Sequence, residues 1–127
     1  MDYNIQINED QKFIHVTTAG EWEKEKDDAL VRDILGTIVQ SGIKKVLLDM
    51  RGLRFDFQLF TIFQRAQDLR EQRVEAHVFS MKVALVYLPE NEKIKADFSF
   101  FETTARNRGL PYRAFVQLEP AIEWLTT

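Results

Sequence analysis

Two short apolar runs constrain this chain more than anything else in it. Ile43, Val46, Leu47 and Leu48 make the first, and Met81 to Leu88, through Val83, Ala84, Leu85, Val86 and Tyr87, makes the second. Both are apolar at odd and even positions alike, so a strand built from either needs cover on both faces, as in the interior of an α/β sheet. Between them Leu59, Ile62, Phe63, Ala66 and Leu69 fall on one arc when each residue advances by about 100°. Strand, helix and strand in that order predict a right-handed crossover between parallel strands. The first strand is expected to end at Asp49, with Arg51-Gly52 turning the chain, Asp56 opening a helix at Phe57, and that helix running to about Gln72. Val74 to Ser80 reads as loop or as a short helical extension, and Pro89 stops the second strand.

The flanking segments add elements on each side. Tyr3 to Ile7 and Lys12 to Thr18 alternate around Asn8-Glu9-Asp10, which predicts a β-hairpin closed by Gly20. Phe13, His15 and Thr17 share one of its faces, and Ile14 and Val16 the other. Glu21, Glu23, Glu25, Asp27 and Asp28 crowd the entry to a helix reaching about Gln40, where carboxylates suit the helix dipole. Leu30, Ile34, Leu35 and Ile38 make its buried stripe, and Gly42 is a natural left-handed cap. Ile94, Phe98, Phe101 and Ala105 mark a third helix that stops at Asn107-Arg108-Gly109, with Phe100 pointing away from its apolar face. Tyr112 to Val116 is a last strand, and Glu119-Pro120 begins a helix docked by Ala121, Ile122, Trp124 and Leu125.

At 127 residues the chain is expected to form one domain, able to bury roughly two-thirds of its unfolded surface. It has no cysteine, which excludes disulfide frameworks, thiolate metal sites and cysteine nucleophiles and suits the cytoplasm. Met1-Asp2-Tyr3-Asn4 does not open a leader, and no apolar run approaches the roughly 18 residues of a membrane span. A net charge of −3 with both signs interspersed gives no broad basic surface for nucleic acid. Arg65, Arg70 and Arg73 read as a solvated helix face. Of the ten phenylalanines, most are expected in the core.

Catalytic chemistry finds little support. Asp49 and Asp56 flank the loop leaving the central strand and could pair for acid–base work or magnesium, but strand end and helix cap account for them. His15 reads as a structural strand residue, and His15 and His77 lack metal-ligand spacing. No phosphate-binding glycine loop or nucleophile triad is present. No enzyme activity, cofactor or metal site is expected.

The element order β-β-α-β-α-β-α-β-α, with Lys45-Val46-Leu47-Leu48-Asp49-Met50-Arg51-Gly52-Leu53 ahead of a helix, resembles the STAS fold of anti-sigma-factor antagonists. The stretch from Phe101-Glu102-Thr103-Thr104-Ala105-Arg106-Asn107-Arg108-Gly109 to Ala121-Ile122-Glu123-Trp124-Leu125 is similar to the SpoIIAA-like (STAS/SEC14) branch. The resemblance implies a single domain over residues 1–127, with a mixed, mostly parallel sheet covered by helices. In the antagonists an Asp-Ser-Ser-Gly run opens the helix after the central strand and carries the phosphorylated serine. Here Asp56 is followed by Phe57, Gln58 and Leu59, so the serines and glycine are missing, and Thr61 is the nearest hydroxyl.

Two function classes follow. One is a non-enzymatic regulatory or protein-interaction module, with a protein partner or a second copy of the chain docking at Arg51, Arg54, Asp56, Phe57, Gln58, Phe60 and Phe100. Phe57, Phe60 and Phe100 are singled out because the helix arcs are complete without them, and clustered exposed aromatics mark interaction surfaces. The other class is a carrier or sensor of a small apolar, lipid-like ligand, as the SEC14 part of the resemblance suggests. A concave apolar cavity would favour this second class.

Overall fold

The first apolar run forms the middle of a ten-residue strand, Lys45–Arg54, here β3. It lies at the centre of a five-stranded sheet whose spatial order follows the chain: β1 (Asp2–Asn8), β2 (Phe13–Glu21), β3, β4 (Lys82–Val86) and β5 (Tyr112–Phe115). β1 pairs antiparallel with β2, and the remaining pairs are parallel. The helices are α1 (Lys24–Ser41), α2 (Leu59–Glu75), α3 (Glu92–Asn107) and α4 (Leu118–Thr126). This structure is a computed structural model that describes residues 1–55 and 59–127, and the side chains of Leu59, Phe60 and Phe63 also lie outside the description. The expectations for Asp56 as helix opener, for Phe57 and Gln58, and for the rings of Phe60 and Phe63 therefore fall outside the described residues.

The two faces of the sheet carry separate cores. Ile14, Val16, Val46, Val83 and Leu85 face α1, α2 and α3 in one cluster, with Leu30, Ile34, Leu35 and Ile38 of α1 supplying the predicted stripe. Phe13, Leu47, Ala84 and Val86 point the other way and are covered by Ala121 and Leu125 of α4. The register aligns Val46 with Val83, Leu47 with Ala84 and Leu48 with Leu85, so partners share a face and the strict alternation of strand side chains sends successive pairs to opposite cores. Lys82 ties α4 down: its Nζ donates to the Trp124 carbonyl at 2.5 Å and lies 4.3 Å from the Trp124 ring centroid. At the far edge, the Ala114 N–H donates to Glu102 Oε2 at 2.6 Å, so α3 satisfies a backbone donor of edge strand β5.

Local signals account for the helix ends. α1 stops at Gly42, which adopts φ 75° and returns its N–H to the Ile38 carbonyl. α3 starts at Asn91, whose side chain accepts from the Ile94 N–H. The Val74–Ser80 segment divides, with α2 continuing to Glu75, a turn through His77 at φ 56°, and Val78 buried beyond it.

Two boundaries differ from the sequence-based expectation. Asp49 does not end β3, and Arg51-Gly52 is not a turn, because β2 also continues past Gly20 to Glu21 and keeps pairing. The register shifts between Thr17 and Ala19, after which Ala19, Gly20 and Glu21 align with Gly52, Leu53 and Arg54. At that irregularity the Thr18 hydroxyl donates to the Asp49 carbonyl at 3.0 Å, supplying a partner where the ladder slips. Gly52 is there for space: a Cβ at this position would lie 2.6 Å from the Thr18 carbonyl oxygen. Gly52→Val is accordingly expected to cost about 1–3 kcal/mol in urea unfolding through overpacking against backbone. A loss below about 0.5 kcal/mol, within the range of ordinary surface substitutions, would show that β2 and β3 do not approach so closely.

The phenylalanines also depart from expectation. Among the described side chains only Phe13 and Phe98 are buried, while Phe55, Phe100, Phe101 and Phe115 are half-buried and Phe79 is 65% exposed. The core is filled mainly by aliphatic residues. The aromatic rings gather around it.

Candidate functional site

Under α2, on the face shared with α1 and α3, packing stops short and leaves a cavity of about 90 Å³. Val46, Leu48 and Met50 of β3 and Val83 and Leu85 of β4 form its floor. Leu30 and Ile34 of α1 and Ile62 and Leu69 of α2 form two further sides, and Phe98 and Phe101 of α3 close the fourth. Phe55, just past the carboxyl end of β3, contributes one rim. It meets Phe98 edge to face at 5.4 Å between centroids, and Phe98 in turn stacks on Tyr87 at 4.1 Å. Phe55, the residue that follows β3, thus lines this site, as the general placement of sites at the carboxyl ends of strands in open α/β sheets suggests. It was not among the predicted positions.

One side of the cavity is charged. Arg65, only 6% exposed, projects from the apolar stripe of α2. Its Nη1 donates to Asp28 Oδ1 at 2.5 Å, and its Nη2 lies 2.8 Å from Asp27 Oδ2. Asp28 also accepts from Lys24 Nζ at 3.0 Å, and Asp27 accepts a hydrogen bond from Trp22. Burial dominates at Asp27 and pushes its carboxyl above the ordinary value despite Arg65. At Asp28 burial acts in the same direction, but the hydrogen bonds from Lys24 and Arg65 outweigh it and hold the carboxyl below the ordinary value. Arg73, two turns along α2, lines the cavity as well. Tyr112 of β5 faces both arginines, and burial pushes its phenol up to about 12 while their positive charges act against that shift. Asp97, also buried, is neutralised by Lys93 Nζ at 2.8 Å.

The solvated-face reading of Arg65 is therefore overturned. The dipole account of the acidic run holds for Glu25 and Asp27, which lie in the first turn of α1, but Asp27 and Asp28 also turn to a cation on α2. A signal was present, because Arg65 sits three residues after Ile62 and four before Leu69, on the buried stripe. Asp27 likewise precedes Leu30 by three on the stripe of α1. Charged residues at core phase point to one another.

The predicted surface residues lie elsewhere. Asp49 and Arg51 alternate with the cavity-lining Leu48 and Met50 and so face away from the cavity. Arg51 grips Asp49 in a bidentate pair at 2.9 and 2.7 Å. Burial would raise the Asp49 carboxyl, but this grip holds it below the ordinary value. Arg54 is exposed, with its Nη2 3.9 Å from Glu21. Phe100 is half-buried and does not line the cavity, while Asp56, Phe57, Gln58 and the Phe60 ring lie outside the described residues. His15 is placed beside Phe13, with ring centroids 6.1 Å apart, and its Nε2 is buried without a hydrogen-bond partner. His77 is exposed in the turn after α2. Among the described residues, no three of His, Asp and Glu converge as a metal site.

No protein-family model matches the sequence, and no curated protein matches it. The likeness lies in structure: an anti-sigma factor antagonist from Mycobacterium paratuberculosis superposes with a TM-score of 0.60 at 11% identity, over 99% of this chain and 96% of that one. The chain has the STAS fold. The STAS fold places α2 directly after the central strand, and here that helix carries both cavity arginines. No helix among the described residues is long and apolar enough to cross a membrane.

Proposed function

We propose that this chain is a non-enzymatic STAS-like module, a single domain over residues 1–127, that takes up a small apolar ligand in the cavity beneath α2. The cavity carries the reading. A largely apolar cavity of about 90 Å³ forfeits about 2 kcal/mol of packing at roughly 24 cal/mol per Å³, a cost that a ligand can offset. Pockets for drug-sized ligands run to roughly 300 Å³ or more. A short chain or a single small ring therefore suits this one better. Phe55 and Phe98, in edge-to-face contact, line the cavity near the carboxyl end of β3.

A second reading, a regulatory module that binds a protein partner or a second copy of itself, is favoured by the structural likeness to an anti-sigma factor antagonist. Its surface would be Arg51, Arg54 and Phe100 with the stretch Asp56 to Phe60. Phosphorylation of the kind known in the antagonists has no serine to act on there, because Phe57 and Gln58 stand in its place.

Native mass spectrometry of protein purified from its own host tests the first reading. The expected result is a retained small apolar molecule released on denaturation and absent from Val31→Phe, because Val31 lines the cavity and a larger ring there fills it. A wild-type protein that carries no such molecule, and whose melting temperature does not respond to excess short-chain alcohol, would count against ligand uptake.

A further inference from the structure

The charged side of the cavity has donors left over. Arg65 Nε and Arg73 Nε are both buried and lack a hydrogen-bond partner, although each arginine lines the cavity. A buried guanidinium N–H without a partner is costly, so such donors ordinarily meet an acceptor. Of the charged residues lining the cavity, Arg65 pairs with Asp27 and also with Asp28 outside it, and Asp97 is matched by Lys93. Arg73 has no ion-pair partner among the described residues, and it lines the same cavity as Arg65 and Tyr112. Among those residues it is thus an unpaired cation at the edge of a largely apolar site.

We infer that the ligand is a short amphiphile with an anionic head, a carboxylate that accepts from the free N–H groups of Arg73 and Arg65 while its chain lies over Leu48, Val83 and Leu85. This rests on the cavity being a ligand site and adds the chemical class of the ligand. Guanidinium donors in a fixed fork suit a carboxylate geometrically, and a desolvated pairing is far stronger than one in water. Arg65 is already committed to Asp27 and Asp28, which leaves Arg73 as the residue that selects the head group.

Hexanoate and hexan-1-ol share a chain and differ in the head, so titrating each into the full chain near neutral pH, followed by amide chemical shifts, separates the two claims. The wild type is expected to bind hexanoate at least about tenfold more tightly than hexan-1-ol. Arg73→Met is expected to bring hexanoate down to the alcohol's affinity and leave the alcohol unchanged, while Arg73→Lys keeps part of the preference. Equal or tighter binding of the alcohol by the wild type would overturn the anionic head and leave the apolar cavity site standing, with no variant needed. A preference that survives in Arg73→Met would overturn the role of Arg73. Binding of neither probe would overturn both the inference and the ligand reading beneath it.

Discussion

Replacing Arg65 by methionine is expected to lower stability by about 2–4 kcal/mol, because it leaves the half-buried carboxylate of Asp27 without its cation and Asp28 with Lys24 alone. Methionine keeps much of the aliphatic stem's packing, so the loss reports charge rather than volume. The pH dependence gives the sign. Asp28 has a lowered carboxyl in the folded protein, so it adds stability above its unfolded value of about 3.9 and loses it as pH falls through the folded value. Asp27 is raised, so it works against the fold as pH climbs from the unfolded to the folded value. Without Arg65 both carboxyls move up. The variant's deficit should then be widest near neutrality and shrink on acidification toward about pH 4, beginning above the ordinary carboxylate value because Asp27 is already raised. Adding Asp27→Asn to the variant should restore part of the loss. Urea unfolding at both pH values checks this, and a deficit under about 1 kcal/mol at neutrality would mean that the cluster is solvated after all.

Leu85→Ala is expected to cost about 2–5 kcal/mol. Leu85 is 3% exposed on β4, one strand from the sheet's centre, and forms part of the cavity floor. Truncation there adds to a void that already exists, and β strands on both sides hold the backbone from collapsing into it. The same variant should therefore take up a bulkier apolar probe than the wild type does. Chemical denaturation measures the first effect and a melting-temperature series with probes of increasing size the second. A loss below about 1 kcal/mol would place Leu85 outside the core.

Several features were legible because they are written locally. The stripe of α1 appears at the four positions its spacing names, and Gly42 caps it as its residue type implies. The alternation of Phe13, Ile14 and Val16 sorted these side chains to opposite cores before any sheet was known. The charged side of the cavity was legible only in outline, since Arg65 and Asp27 stood out of phase with polar surfaces but nothing in either helix said which partner each would meet.

What the sequence by itself determined, then, is the set of elements, their order, the parallel crossovers that order requires, and the face each element buries. These depend on periods of two and of about 3.6 residues, which any short window contains. Only the tertiary structure decided that β3 runs five residues beyond Asp49, that Gly52 must lack a side chain, that Asp27 and Asp28 share Arg65, and that a cavity remains under α2. Each of those depends on a second segment: a strand that goes on pairing, a carbonyl 34 positions earlier, a cation from another helix, and the volume left when three helices meet one sheet. Such pairings are fixed by distance in space, which local spacing along the chain does not encode.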